Sequence, residues 1–156
     1  MAWVLSYFSF GGRKNRQRYW LTALAVGGIM AVAALVLSVL TQMPVIGLVF
    51  GILLIGAIGA GVVAVLANGA RRLHDRGKSA WWLMLFMGLP TLLSSFGNLM
   101  TATADEAAVG AGAAVTVLGL PFSIWGLVVM GFLKGTVGPN KYGEDPIGQP
   151  VQEILA

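Results

Sequence analysis

His74, Asp75 and Ser79 bring the side-chain types of a hydrolase triad into one short stretch, beside Arg71, Arg72, Arg76 and Lys78. A relay of nucleophile, imidazole and carboxylate would support acyl or phosphoryl hydrolysis. Adjacent His and Asp on a helix point in different directions, however, and nothing nearby suggests an oxyanion hole. Arg76-Gly77-Lys78-Ser79 also imitates the end of a phosphate-binding P-loop. That motif needs glycine at position 72, where this chain has Arg72, and a preceding strand, where this chain has an apolar helix. A single histidine and no cysteine exclude disulfides and thiolate chemistry and argue against a metal centre, which wants three or four convergent ligands. No catalytic residue, metal or cofactor is therefore assigned.

What remains is a cationic chemistry. The ten Lys and Arg residues fall in three clusters: Arg13, Lys14, Arg16 and Arg18; Arg71, Arg72, Arg76 and Lys78; and Lys134 with Lys141. Guanidinium groups are forked donors suited to phosphate. An anion or lipid-headgroup site is expected from Arg13, Arg16, Arg71 and Arg72, with His74, Asp75, Asn140, Tyr142 and Asp145 around it. The simpler reading needs no ligand. Arg71 and Asp75 stand four apart and can pair on one helix face, while cations at a helix C-terminus complement its dipole. Gly138–Gly143 reads first as a tight surface turn, and second as a nest of amides for an anion.

These clusters are positioned by long apolar runs. Hydrophobic residues make up 57% of the 156 and charged residues 10%, far below the roughly 25% of soluble domains. A membrane span needs about 20 apolar residues. The pattern predicts an all-α membrane protein of four transmembrane helices, at about 20–41, 45–69, 80–97 and 110–133. Residues 1–146 form one domain and 147–156 a tail. No cleavable signal precedes the first span, because apolar Trp3–Phe10 comes before the positive cluster. That segment instead suits the membrane interface.

Asn15 and Ser79 are expected N-caps. Tyr19, Trp20, Trp81 and Trp82 are expected headgroup-level anchors. A very short turn at Thr41–Pro44 makes the first two spans a hairpin. Ala23, Gly27 and Ala31 on the first span face the Gly47/Gly51 and Ala57/Gly61 pairs of the second, which favours close packing within the chain or a homodimer seam. Pro90 and Pro121 should bend the third and fourth spans. Gly97–Gly110 is expected as the longer outer loop. No ionisable residue lies inside any span, which argues against an ion-coupled transporter.

All ten cations lie on one side of this arrangement and none in the two opposite loops. The excess of Lys and Arg marks the cytoplasmic side and places both termini there. Allowing for Asp75, Glu144, Asp145 and Glu153, the inner side carries +6. Asp105 and Glu106 leave the outer side at −2, which together account for the net +4. Such a face meets anionic lipid, and no basic helix stands clear of the membrane to bind nucleic acid.

Phe10, Gly12-Arg13, Arg16 and Tyr19-Trp20 form the first of three ordered motifs. Arg71-Arg72-Leu73-His74-Asp75 with Ser79 and Trp81-Trp82 form the second, and Gly138, Asn140, Tyr142-Gly143 and Asp145-Pro146 the third. In these the chain resembles the bacterial inner-membrane family catalogued as domain of unknown function 805. The resemblance implies a small multi-span inner-membrane protein and no established activity. The expectation is a non-enzymatic membrane protein whose polar clusters bind an anionic lipid headgroup or an acidic protein partner. The alternatives are a small enzyme or carrier acting on a phosphorylated lipid, with His74 and Asp75 as acid and base, and a structural subunit. A homo-oligomer or another membrane protein is the possible partner.

Overall fold

A computed structural model describes residues 6–40, 44–102 and 105–148, and these contain helices and turns but no strand. Trp3 and Val4, Thr41–Met43 and most of the tail, for which the sequence raises expectations, lie outside the described residues. A 3-10 turn, Ser6–Phe8, leads into α1, Arg16–Leu40. Asn15 caps α1, its Oδ1 accepting from the Arg18 amide at 2.8 Å. Helix α2 runs Pro44–Asp75 and packs antiparallel to α1. A π-helical turn at Met84–Gly88 precedes α3, Leu89–Thr101. Then come α4, Glu106–Leu118, α5, Leu120–Leu127, and a second π-helical turn at Val128–Phe132.

Three helical segments are long and apolar enough to cross a membrane: Arg16–Leu40, Leu48–Asp75 and Glu106–Phe132. The third apolar stretch of the sequence is divided by the π-helical turn, which leaves α3 at 13 residues. Pro90 sits in the first turn of α3 and Pro121 in that of α5, where a missing N–H costs little. Gly88 and Gly119, which precede these helices, keep right-handed helical dihedrals, so each proline follows a change of helical register within a continuing helix. The two sites face each other, since a Cβ on Gly119 would lie 3.1 Å from the Pro90 Cα.

The glycine pattern needs a correction. Gly27 and Gly51 face open space, and of the expected α1–α2 contacts Gly61 meets the Met30 side chain. Among the described glycines, the closest backbone approach is between α3 and α4. There a Cβ on Gly97 would come within 2.5 Å of the Gly112 carbonyl, and one on Gly112 would meet the Gly97 carbonyl at the same distance. The connection expected as the outer loop is also shorter than Gly97–Gly110. Both helices continue through the small residues of that stretch, and Asp105 is the extended residue that precedes α4.

The buried core lies at one end of the bundle. Ala70, Leu73, Leu83, Phe86, Val129 and Met130 form it, while the helices' remaining apolar side chains are largely exposed. Exposed Leu, Ile and Val along all the helices suit a lipid solvent. The core and the polar clusters share the same end, so the buried core surrounds the charges.

Candidate functional site

Asp75, the last residue of α2, is 2% exposed and is gripped from both sides. Arg72, one turn earlier and fully buried, donates from Nη1 to Asp75 Oδ2 at 2.5 Å. Arg13, from the segment before α1, donates from Nε to Oδ1 at 3.2 Å. The expected Arg71–Asp75 pair is not formed. The carboxylate turns toward the i−3 side chain and toward Arg13, away from the face that carries Arg71. Removing the carboxylate would leave two buried guanidinium charges uncompensated, which costs about 3–5 kcal/mol.

Arg13 then ties in the C-terminal segment. Its Nη1 donates to the Gly138 and Gly143 carbonyls at 2.6 and 3.3 Å, and its Nη2 to the Thr136 carbonyl at 2.5 Å. The Asp75 carbonyl accepts from the Thr136 amide and hydroxyl at 2.8 and 2.9 Å. Gly135 passes so close that a Cβ there would overlap the Asp75 carboxylate. Asn140 donates to the His74 carbonyl at 3.0 Å and accepts the Tyr142 amide at 2.8 Å, which closes a tight turn with Gly143. Asp145 accepts from the Gly138 and Ile147 amides, both at 3.0 Å. The amide of Ile147 first, then that of Gly138 and the charge of Arg13, hold its carboxyl below the usual range. The amides of Gly138, Asn140, Tyr142 and Gly143 are thus used within the turn or by Asp145, as in the simpler reading of that segment.

A second function of the basic residues was not visible in the sequence. A helix C-terminus leaves its last carbonyls without partners. Here five consecutive carbonyls each accept from a side chain. Arg76 donates to Val129 at 3.2 Å, Arg72 Nε to Met130 at 2.7 Å, and the Trp20 indole to Gly131 at 3.0 Å. Arg16 donates to Phe132 at 3.1 Å, and Arg72 Nη2 to Leu133. Cations placed there also complement the negative end of the helix dipole. Trp20 serves this cap through its N–H, whereas Trp81 is 77% exposed. Trp82 packs edge-to-face on Trp125 under the Lys78 ammonium, which lies 4.2 Å from its ring. Tyr19 packs against the core.

His74 stacks flat on Tyr142 with ring centres 3.9 Å apart, and its Nδ1 faces the Gly12 carbonyl at 3.2 Å. A carbonyl only accepts, so Nδ1 carries the proton. His74 and Asp75 therefore serve different partners and do not form an acid–base pair.

One corner of this cap is left over. Lys14 is 8% exposed, and its ammonium reaches between α1 and α2 to donate to Thr22 Oγ1 and Asn68 Oδ1, each at 2.8 Å. The strict absence of ionisable groups between the spans therefore fails at this point, through a long side chain entering from the end. No carboxylate lies within ion-pair distance of Lys14 among the described residues. Burial, then the charges of Arg71 and Arg18, bring its ammonium down to about 8 from 10.5. The Arg71 carbonyl accepts from the Lys14 amide at 3.1 Å, while the Arg71 Nε is buried without a partner. Among the described residues no group of three or more His, Asp and Glu could hold a metal ion.

The model of the family described as "Protein of unknown function (DUF805)" matches residues 7–144. The chain is 29% identical over 154 residues to the inner membrane protein YhaI of Escherichia coli K12, covering 94% of this chain and 96% of that protein. It is 25% identical over 164 residues to the inner membrane protein YhaH of the same strain, covering 96% and 100%. No solved structure matches.

Proposed function

This chain belongs to the DUF805 family and is a multi-pass protein of the bacterial inner membrane, and from that premise we propose that it is a four-span, non-enzymatic protein that binds an anionic phospholipid headgroup at its cytoplasmic end. The fourth span in this reading is the stretch from Ala80 through α3, whose π-helical turn interrupts an otherwise apolar run. Both termini and the Arg71–Ser79 connection face the cytoplasm, on the strength of ten cations to none.

The observation that carries the headgroup reading is the division of labour among the cations. Arg13 and Arg72 are committed to Asp75, and Arg16, Arg72 and Arg76 to the carbonyls of the last helix. Lys14 and Arg71, with exposed Arg18 beside them, have no carboxylate to neutralise them. Like charges held together and partly dehydrated repel, and a phosphate diester relieves that repulsion. Of the expected donors Arg13, Arg16, Arg71 and Arg72, this reading keeps Arg71 and joins to it Lys14 and Arg18.

Native mass spectrometry of the detergent-purified protein tests this. Wild type should retain phosphatidylglycerol in preference to phosphatidylcholine. Arg71→Gln should lower that retention roughly tenfold, the loss expected for a charge-assisted hydrogen bond worth about 1.5–3 kcal/mol. Equal retention by wild type and Arg71→Gln sinks the headgroup reading.

A second reading, a lateral helix partner or homodimer, is favoured by the glycines on α2. Gly51, Gly56 and Gly59 have no atom within 4 Å of the place a Cβ would occupy. Small residues let membrane helices approach closely. Disulfide trapping through Gly56→Cys in membranes would give a dimer on this reading and a monomer otherwise.

A further inference from the structure

We infer that the groove between α1 and α2, beneath the N-terminal 3-10 turn, seats an acyl chain of the same anionic phospholipid. The inference rests on the headgroup reading above and adds to it the seat of the tail. Tyr7 and Phe8 roof a cavity of about 420 Å³ whose walls include Ala25 and Ile29 of α1 and Ala57 and Gly61 of α2. Its walls are almost wholly apolar, and the small residues Ala57, Ala60, Gly61 and Ala64 on α2 open a trough beside the seam that Met30 closes on Gly61.

Helical spacing joins the trough to the charges. On α1, positions 18, 22, 25 and 29 follow one another on a single face; on α2, positions 57, 61, 64, 68 and 71 do the same. Thr22 and Asn68, which hold the Lys14 ammonium, therefore stand one turn above groove residues Ala25 and Ala64. The ammonium also lies 5.7 Å from the centre of the Tyr7 ring that roofs the groove. Arg18 and Arg71 sit a further turn out on the same faces. A single amphiphile entering here meets cations first and apolar wall next.

The dimensions fit one leaflet. Asn68 and Ala57 are eleven residues apart, about 16 Å at the helical rise, and half of the bilayer's hydrocarbon core is about 15 Å. Charge complementarity at the upper end selects an anionic lipid over a zwitterionic one. A neighbouring transmembrane helix would fill an apolar trough but would leave Lys14 and Arg71 unneutralised.

The chain contains no cysteine, so a single Ala60→Cys substitution can carry a bimane fluorophore within the groove wall. The labelled full-length protein in uncharged detergent is titrated with phosphatidylglycerol brominated in its acyl chains, and separately with brominated phosphatidylcholine. Leu53→Cys, at an exposed residue that does not line the groove, provides the reference. Saturable quenching at position 60 is expected, at least fivefold tighter for phosphatidylglycerol and stronger than at position 53. Adding Arg71→Gln should reduce that preference to the phosphatidylcholine level. Unsaturable quenching equal at the two positions overturns the acyl seat. The headgroup reading would then stand or fall on the native mass spectrometry. Saturable quenching that ignores both the headgroup and Arg71→Gln would overturn the headgroup reading, and this inference with it.

Discussion

Asp75 is the residue on which the polar end of the molecule depends, because it answers two guanidinium groups from different parts of the chain. Asp75→Asn keeps the shape and removes the charge, which leaves Arg13 and Arg72 facing each other in a buried site. The expected cost is about 3–5 kcal/mol, read as a lower melting temperature in detergent. Arg72→Lys should lower the melting temperature as well. A guanidinium donates in three directions here, to Asp75, Met130 and Leu133, and an ammonium on a flexible stem cannot match that fork. Asp75→Asn melting like wild type would refute this account. Lys14 gives a second residue-scale expectation. Its folded value of about 8 lies below the ordinary 10.5, so between these pH values the unfolded chain holds more protons than the folded one. Stability therefore rises with pH across that window, and Lys14 weighs against folding below it. Measured against Lys14→Met, wild type should gain melting temperature from pH 8 to 10.5. Added phosphatidylglycerol should flatten the gain by favouring the charged ammonium. Parallel curves for the two proteins would remove Lys14 as the cause.

At the scale of elements, the glycines divide into those that determine packing and those that do not. Gly97→Ala places a methyl against the Gly112 carbonyl, backbone against backbone, so α3 and α4 must separate. A loss of about 1–3 kcal/mol is expected for such overpacking, while Gly51→Ala, which faces open space, should melt within error of wild type. Thermal unfolding of the two variants side by side checks this, and equal losses would contradict it. The contrast also shows what sequence could reveal. Hydropathy locates the apolar runs, and Asn15 marks the start of α1, because both signals are local. Small-residue spacing shows that a helix can be approached but not by which neighbour, so it pointed to Gly51 while the tightest contact formed at Gly97. The same limit governed the basic clusters. Their types and order were plain, and Asp75 stood out as their counter-charge. That Arg16, Arg72, Arg76 and Trp20 would be spent on the carbonyls of Val129–Leu133 depends on how the last helix ends beside α1 and α2, and no single segment records that.

For the whole molecule, the asymmetry of charge and the asymmetry of packing coincide. The pole that holds every Lys and Arg also holds the buried core and the long-range hydrogen bonds that tie residues 12–16, 71–76 and 129–145 together. The opposite pole has a short connection with Asp105 and Glu106 as its charges, and there Asp105 makes no side-chain cap bond to α4. A membrane protein inserts with its cations retained in the cytoplasm, so the pole that is hardest to translocate is also the one that holds the buried core. If the stretch from Ala80 to Thr101 crosses as the third of four spans, Asp105 faces outward and Glu144 inward. If it does not cross, an odd number of crossings puts Asp105 and Glu144 on opposite sides still, but returns Arg16 and Glu144 to different sides, against the contacts that join them through Arg13 and the last helix. The absence of native cysteine makes the test direct. Asp105→Cys and Glu144→Cys, both at exposed positions that leave every cation in place, are treated with a membrane-impermeant maleimide in spheroplasts. Asp105→Cys should label in intact spheroplasts, and Glu144→Cys only after lysis. Gln17→Cys, beside Arg16 at the start of α1, should behave like Glu144→Cys. Labelling of position 144 from outside, or different behaviour at 17 and 144, would overturn the four-span topology.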